Sequence, residues 1–349
     1  MYFASDNWAG AHPAIARSLV THAEGYAPAY GSSDLDRKVE ARFAEIFERD
    51  VKVFFVSTGT AANSLAYASI AKPGGVLFAH REAHMLEDEC GAPEHLSGGG
   101  RLCPVDGGLG RMDPKRLEAE IARFPAEFVH AGRPVGVSLT QATEIGTVYS
   151  LDEIGAIAGV CRRNKLPLHM DGARFANALA ALDCTPAEMT WKSGVDMVSF
   201  GATKNGCWCA EALVIFDPAL AAEFPFIRKR AAQLFSKSRF VAAQFDAYFE
   251  GGLWLDMARH ANAMAARLAG HVEASGNARL AWQPQANEVF SIMSRTTFDT
   301  LKERGAHLHE WGVPSGLDNG PRDGEILARL VTSFATRQAD VDAFAQALD

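Results

Sequence analysis

Short apolar runs alternate with helical patterns through the first two-thirds of the chain. Residues 51–56 read as a strand and 61–71 as a helix, followed by a strand at 75–79. Asp113-Pro114 is a helix start signal and opens a helix over 113–123. A strand at 135–139 precedes a helix over 151–164, where Leu151, Ile154, Ile157, Ala158 and Cys161 recur at helical spacing. A strand at 166–170, a helix at 175–182 and strands at 197–200 and 212–216 complete the series. Such alternation predicts an α/β fold with a mostly parallel sheet covered on both faces. After residue 217 the pattern changes to long helical stretches, 226–250 and 253–273, and then to short strands at 288–293 and 326–332. Gly251-Gly252 stands between the two helices as a bend or hinge. The expected organisation is a large domain over 1–250, including the N-terminal segment, and a small α+β domain over 251–349.

Composition narrows the function classes. The chain has 349 residues, 48% of them hydrophobic and 22% charged, which is the balance of a globular protein. The net charge is −8 and no basic run interrupts it, so a nucleic-acid backbone is not the expected partner. No apolar stretch approaches the roughly 18 residues of a membrane helix, and the first residues lack the pattern of an export signal. The six cysteines include no CxxC pair, only Cys207-Trp208-Cys209, and reduced thiols in a cytoplasm are expected. There is no GxxxxGK[ST], no GxGxxG after a strand, no HExxH and no GxSxG. His307-Leu308-His309-Glu310 reads as the end of a strand or helix rather than a metal site.

Three segments carry chemistry, each where a strand gives way to a loop or helix. In an open α/β sheet, ligands bind at the carboxyl ends of strands. Ser57-Thr58-Gly59-Thr60-Ala61-Ala62-Asn63 opens a helix with small and hydroxyl residues, which suits a phosphate or a simple N-cap. In His169-Met170-Asp171-Gly172-Ala173-Arg174, Asp171 ends a buried strand, where a carboxylate needs a cationic partner. Arg174 could be that partner in a structural ion pair; alternatively the partner is a protonated ring nitrogen of a cofactor. Lys204, in Ala202-Thr203-Lys204-Asn205-Gly206, follows a strand among small residues and can form a Schiff base. A phosphate cup, an acidic partner for a pyridinium nitrogen and a Schiff-base lysine, in that order, are the parts that hold pyridoxal 5'-phosphate.

At this point the chain resembles the L-threonine aldolases of the aspartate-aminotransferase fold, grouped with the β-eliminating lyases. The resemblance rests on Ser5-Asp6-Asn7, Tyr30-Gly31, the segment from Ser57 to Asn63, His84 before an acidic stretch, the segment from His169 to Arg174, Thr203-Lys204 and Ala328-Arg329-Leu330-Val331-Thr332. It implies a large domain with a mostly parallel seven-stranded sheet between helices. Lys204 would hold the cofactor, Asp171 its ring nitrogen, and Gly59 and Thr60 its phosphate, while His84 would stack on its ring and Thr58, Arg174 and Thr203 would also contact it. Ser5, Arg174 and Arg329 would hold the substrate carboxylate, arginine being suited to that by its bidentate geometry. His130 matches a second active-site histidine, Tyr30 lies near the subunit interface, and Arg239 would reach the phosphate from a neighbouring subunit. Dimers or tetramers with shared sites are implied. Where many members carry Leu-Glu-Asn-Thr, this chain has Leu139-Thr140-Gln141-Ala142-Thr143-Glu144.

The implied reaction is retro-aldol cleavage of L-threonine, L-allo-threonine and related β-hydroxy-α-amino acids to glycine and an aldehyde. His84, His130 or a bound water would take the β-hydroxyl proton. The competing readings are a phenylserine aldolase, another enzyme of the same fold such as a β-eliminating lyase, and a non-catalytic cofactor-binding protein.

Overall fold

Seven short strands, most of them buried along their whole length, build the larger of two sheets in the computed structural model, which describes residues 1–349. They are β1 (Lys52–Val56), β2 (Gly75–His80), β3 (Arg101–Val105), β4 (Arg133–Thr140), β5 (Leu168–Gly172), β6 (Met197–Gly201) and β7 (Glu211–Ile215). Their order is β1-β7-β6-β5-β4-β2-β3, and only β7 runs antiparallel to its neighbours. Helices cover both faces, so central strands such as β2 and β5 are buried at every position. That is why they read as apolar runs without alternation.

One polar residue inside this sheet is fully accommodated. The imidazole of His169 bridges Ser138 and Ser199 on the two flanking strands, at 2.8 Å on each side. Burial alone pushes its pKa down to about 3, which keeps the ring neutral. His169 thereby ties β4, β5 and β6 together beneath Asp171, two residues further along the same face.

The second sheet is antiparallel and contains β8 (Ala278–Leu280), β9 (Glu288–Ser294), β10 (His309–Trp311) and β11 (Glu325–Val331), in the order β10-β11-β9-β8. The helices Leu253–Ala274, Arg295–Glu303 and Gln338–Leu348 pack on one face. The opposite face carries Phe290, Ile292 and Leu327 against Ile145 of the large unit. Glu288 and Arg329 share that inward face, because Arg329 pairs with Phe290 and side chains alternate along a strand.

Helix Leu253–Ala274 joins the two cores: Trp254 and Met257 belong to the larger one, Ala265 and Leu268 to the smaller. Gly251 and Gly252, both at positive φ, form the bend before it. Of the N-terminal segment grouped with the large unit on sequence, residues from about His12 onward pack there, with Ile15 in the large core, but the first residues lie along the small sheet. Phe3 is buried in the C-terminal core, and its carbonyl accepts from Val331 N at 2.8 Å.

Besides β8, β10 and helices such as Pro13–Thr21 and Asp34–Ile46, which the pattern does not predict, two elements differ from expectation. The helix expected over 226–250 is broken into Phe224–Arg230 and Arg239–Phe249. Between them Gln233 reaches Ser57, accepting from its backbone N at 3.0 Å and its hydroxyl at 2.8 Å. Strand β3 was not expected and lies at the sheet edge, where Pro104 is tolerated. No helix is long and apolar enough to cross a membrane.

Candidate active site

The carboxyl ends of β1, β2, β5 and β6 surround a pocket of about 290 Å³. Thr58, Gly59 and Thr60 form one end, and His84, Asp171 and Lys204 converge on the rest. Larger clefts of about 540 and 960 Å³ open elsewhere on the surface and contain none of these residues.

At the cup end, Thr58 caps helix Gly59–Ile70, its hydroxyl accepting from Ala61 N at 3.0 Å. The first N–H groups of a helix have no acceptor within it, so those of Gly59 and Thr60 are available to an anion, favoured further by the helix dipole. Lys204 follows β6 in a short 3₁₀ turn whose position is anchored from below. Its neighbour Asn205 donates to Tyr248 Oη and to the Trp254 carbonyl, both at 2.8 Å. Gly206 closes the turn at φ +102°, with Met257 Sδ only 2.8 Å from where a Cβ would stand. The Lys204 side chain is free of intramolecular ion pairs and hydrogen bonds, as a group reserved for a ligand would be.

Asp171 is almost fully buried, yet Arg174 does not neutralise it. Its Oδ1 accepts from Ala173 N at 3.1 Å and its Oδ2 from Asn63 Nδ2 at 2.9 Å. Burial raises its pKa, with Glu144 adding to the rise and His84 and Lys204 opposing it. A buried carboxylate served only by neutral donors is suited to a cationic ligand atom. Asn63 also donates to Glu89 Oε1 at 2.9 Å, and His84 Nδ1 donates to the same oxygen at 3.0 Å. The hydrogen bond to Glu89 raises the His84 pKa against the lowering effect of burial. With Nδ1 committed to Glu89, the neutral ring offers Nε2 as an acceptor.

Glu211 is a further buried acid on the pocket wall. It pairs in register with Val56 on one side and Gly201 on the other, so it stands between the cup and the lysine turn. Burial pushes its pKa up to about 7, while a hydrogen bond from Thr203 and the charge of Lys204 pull it back. Neither Glu89 nor Glu211 has a local sequence signal; both are identified only by contacts distant in sequence.

The two arginines behave differently. Arg174 is buried and forms a forked pair with Asp6, Nε to Oδ2 at 2.8 Å and Nη2 to Oδ1 at 3.2 Å. An ion pair between Arg174 and Asp171, one of the two readings the sequence leaves open, does not form; Asp6 of the N-terminal segment takes the guanidinium. Burial works against ionising Asp6, but Arg174 and Lys204 outweigh it and hold its pKa low. Arg329 is less engaged. Its guanidinium lies 4.0 Å over the Trp311 ring, and Nε has no partner.

Neither arginine lines this pocket, and four more residues singled out from the sequence, His130, Ser5, Tyr30 and Arg239, also stand outside it in their own chain. His130 is exposed and packs edge-on against Phe128, at 5.3 Å between ring centroids. It precedes β4, which puts it at the opposite end of the sheet from the strand carboxyl ends, so contrary to expectation it does not reach this chain's own pocket. Ser5 caps a 3₁₀ turn, accepting from Asn7 N at 3.1 Å, and borders a neighbouring cleft beside Tyr2 and Trp8. Tyr30 is exposed at φ +59° under Lys229. Arg239 points to the Gly25 carbonyl at 3.2 Å. His307 stacks on Tyr2 at 4.9 Å, and His309 begins β10.

Comparison with known proteins places this geometry. The beta-eliminating lyase family profile matches residues 2–296. A low specificity L-threonine aldolase from a Pseudomonas species is 39% identical over 339 residues, covering 97% of this chain and 94% of its own. One from Pseudomonas aeruginosa is 41% identical over 303 residues, 87% of each chain. The structure of Leishmania major threonine aldolase superposes with a TM-score of 0.91 at 29% identity, covering 99% of this chain and 98% of that one. The chain is therefore a member of the beta-eliminating lyase family, with the fold of the threonine aldolases.

Proposed function

We propose that this protein cleaves L-threonine, L-allo-threonine and related β-hydroxy-α-amino acids between Cα and Cβ, releasing glycine and an aldehyde, with pyridoxal 5'-phosphate as cofactor. The observation that carries the reading is Asp171, a buried carboxylate with only neutral donors, in the same pocket as an unpaired lysine and an open helix N-terminus. Held there, the cofactor would supply the sink for the electron pair released when the carbon–carbon bond breaks. Lys204 would hold it covalently, Thr58, Gly59, Thr60 and Thr203 would bind its phosphate, and Asp171 would keep the ring nitrogen protonated. Asn63 and Ala173 fix the Asp171 carboxylate for that task.

His84 borders the cofactor space and would cover the ring face. Its Nε2 is also the group best supported to accept the β-hydroxyl proton, because Glu89 holds the other nitrogen. Arg329 and the Arg174–Asp6 pair would receive the substrate carboxylate. Lys204 is the only lysine or arginine on the pocket wall, so a phosphate dianion would gain from a second cation. Arg239 of a second copy would supply that cation in a dimer or tetramer, with Tyr30 near the same interface. Six free thiols fit a reducing, cytoplasmic setting.

The deciding experiment is product analysis with L-threonine. Equal amounts of glycine and acetaldehyde support the proposal; ammonia and a 2-oxo acid would instead establish an eliminating lyase. Benzaldehyde release from phenylserine, compared in the same assay, ranks the side chains accepted.

A further inference from the structure

Glu288, like Glu211, is a buried acid that the reaction as described leaves unused. Its side chain is fully shielded from solvent, and neither carboxylate oxygen has a hydrogen-bond partner. It lies between the two arginines assigned to the substrate carboxylate, 3.4 Å from Arg174 Nη2 and 3.9 Å from Arg329 Nη1. Gly146, at φ +72°, lets the loop after β4 approach so closely that a Cβ there would be 2.8 Å from Glu288 Cβ. The charged groups that face Glu288 are Arg174 after β5, Arg329 on β11, Asp6 from the N-terminal segment and Glu144 from that loop.

Three carboxylates, Asp6, Glu288 and Glu144, face two guanidinium groups here. A substrate carboxylate adds a further negative charge next to Glu288, where little solvent screens the repulsion. Asp6 is secured by its forked pair with Arg174 and by Asn287 Nδ2 at 3.1 Å, whereas Glu288 has no comparable bond. Of the two acids, Glu288 is the one that yields.

We propose that Glu288 is a positioning residue that couples substrate binding to proton uptake: ionised, it holds Arg174 and Arg329 to itself, and a substrate carboxylate engages them as Glu288 takes a proton from solvent. The proposal rests on the carboxylate-binding role given to the two arginines above. Burial, partly offset by the two arginines, pushes the Glu288 pKa up to about 7, so the exchange falls in the neutral range. Below neutrality the acid is already protonated and binding needs no uptake; above it, each binding event draws about one proton and affinity declines by about tenfold per pH unit.

The test uses the cofactor-loaded protein and 3-hydroxybutanoate, which has the carboxylate and hydroxyl of threonine but no amino group. Calorimetry in two buffers of different protonation enthalpy counts the protons taken up between about pH 6 and about pH 8.5. The wild-type protein is expected to show uptake rising towards one proton, with KM for L-threonine increasing over the same range. Glu288→Gln should abolish that uptake and flatten both profiles, and Glu288→Met should do the same. Uptake that persists in both variants overturns the proposal, as does none in the wild-type protein, a measurement that stands even if neither variant folds. Arg329→Leu separates the two layers. A probe that binds this variant as tightly as wild type, or fails to bind wild type at all, counts against the carboxylate site itself. Loss of binding in Arg329→Leu beside an unchanged pH profile in Glu288→Gln overturns only the role of Glu288.

Discussion

His84 Nδ1 donates to Glu89 Oε1 across 3.0 Å, and the Glu89 side chain is wholly shielded from solvent. The acid therefore sets both the orientation and the basicity of the imidazole. Replacing it with the isosteric amide in Glu89→Gln keeps an acceptor for Nδ1 but removes the charge. The His84 pKa, raised by this bond, then falls. A base must be neutral to act, so the acid limb of kcat/KM for glycine formation is expected at lower pH in the variant than in wild type. Superimposable limbs would exclude His84 as the base.

Asn63 serves two acids at once, donating one amide to both Glu89 and Asp171. In Asn63→Ala both buried carboxylates lose a donor. Leaving a buried acceptor unsatisfied costs roughly 1–3 kcal/mol, and urea unfolding should register a loss in that range. Cofactor affinity, read from absorbance on titration, should fall with it, since Asp171 would be less well fixed. A variant as stable as wild type would mean that water replaces the amide without loss.

The Lys204 amine makes no direct intramolecular bond, but its charge favours the ionised forms of the buried acids Asp6, Asp171 and Glu211. Lys204→Ala is therefore expected to fold but to lose some stability, more at high pH than at low, as urea unfolding at the two extremes would show. Borohydride reduction and peptide mapping should label residue 204 in the wild-type protein and no residue in the variant. A label on another lysine would move the covalent anchor elsewhere.

The parts of this site that could be read from the chain are those that a strand end carries with it. Asp171 and Lys204 each follow a buried apolar run, and Ser57 to Asn63 opens a helix directly after another, so their place at the carboxyl ends follows from topology. What escaped is what distant contacts create. Glu211 gains its position from pairing with both β1 and β6, and Glu288 arrives from the second sheet. The broken helix before Arg239 has the same origin, since Gln233 leaves the helical path to bind Ser57. Strand β3 was hidden because it follows Gly98-Gly99-Gly100 and contains Pro104, both turn signals in a local reading. His130 shows the limit of motif matching: its position in the chain fits, yet it is on the wrong side of β4 to reach its own pocket.

Glu211 makes the last prediction, one of stability against pH. Burial raises its pKa from 4.5 to about 7 in the folded chain, whereas the unfolded chain keeps the ordinary value. Below about pH 4.5 both states are protonated and the group has no effect. Between these values the unfolded chain ionises first, so folding loses stability as pH rises; above about 7 both states are ionised and the loss is complete. For a group this deeply buried the full swing is on the order of 3 kcal/mol. Glu211→Gln cannot ionise and still accepts from Thr203, so it should gain on wild type by that order between pH 5 and pH 8. Urea unfolding of both proteins at the two pH values measures the difference, and parallel stability changes would show that Glu211 stays ionised beside Lys204.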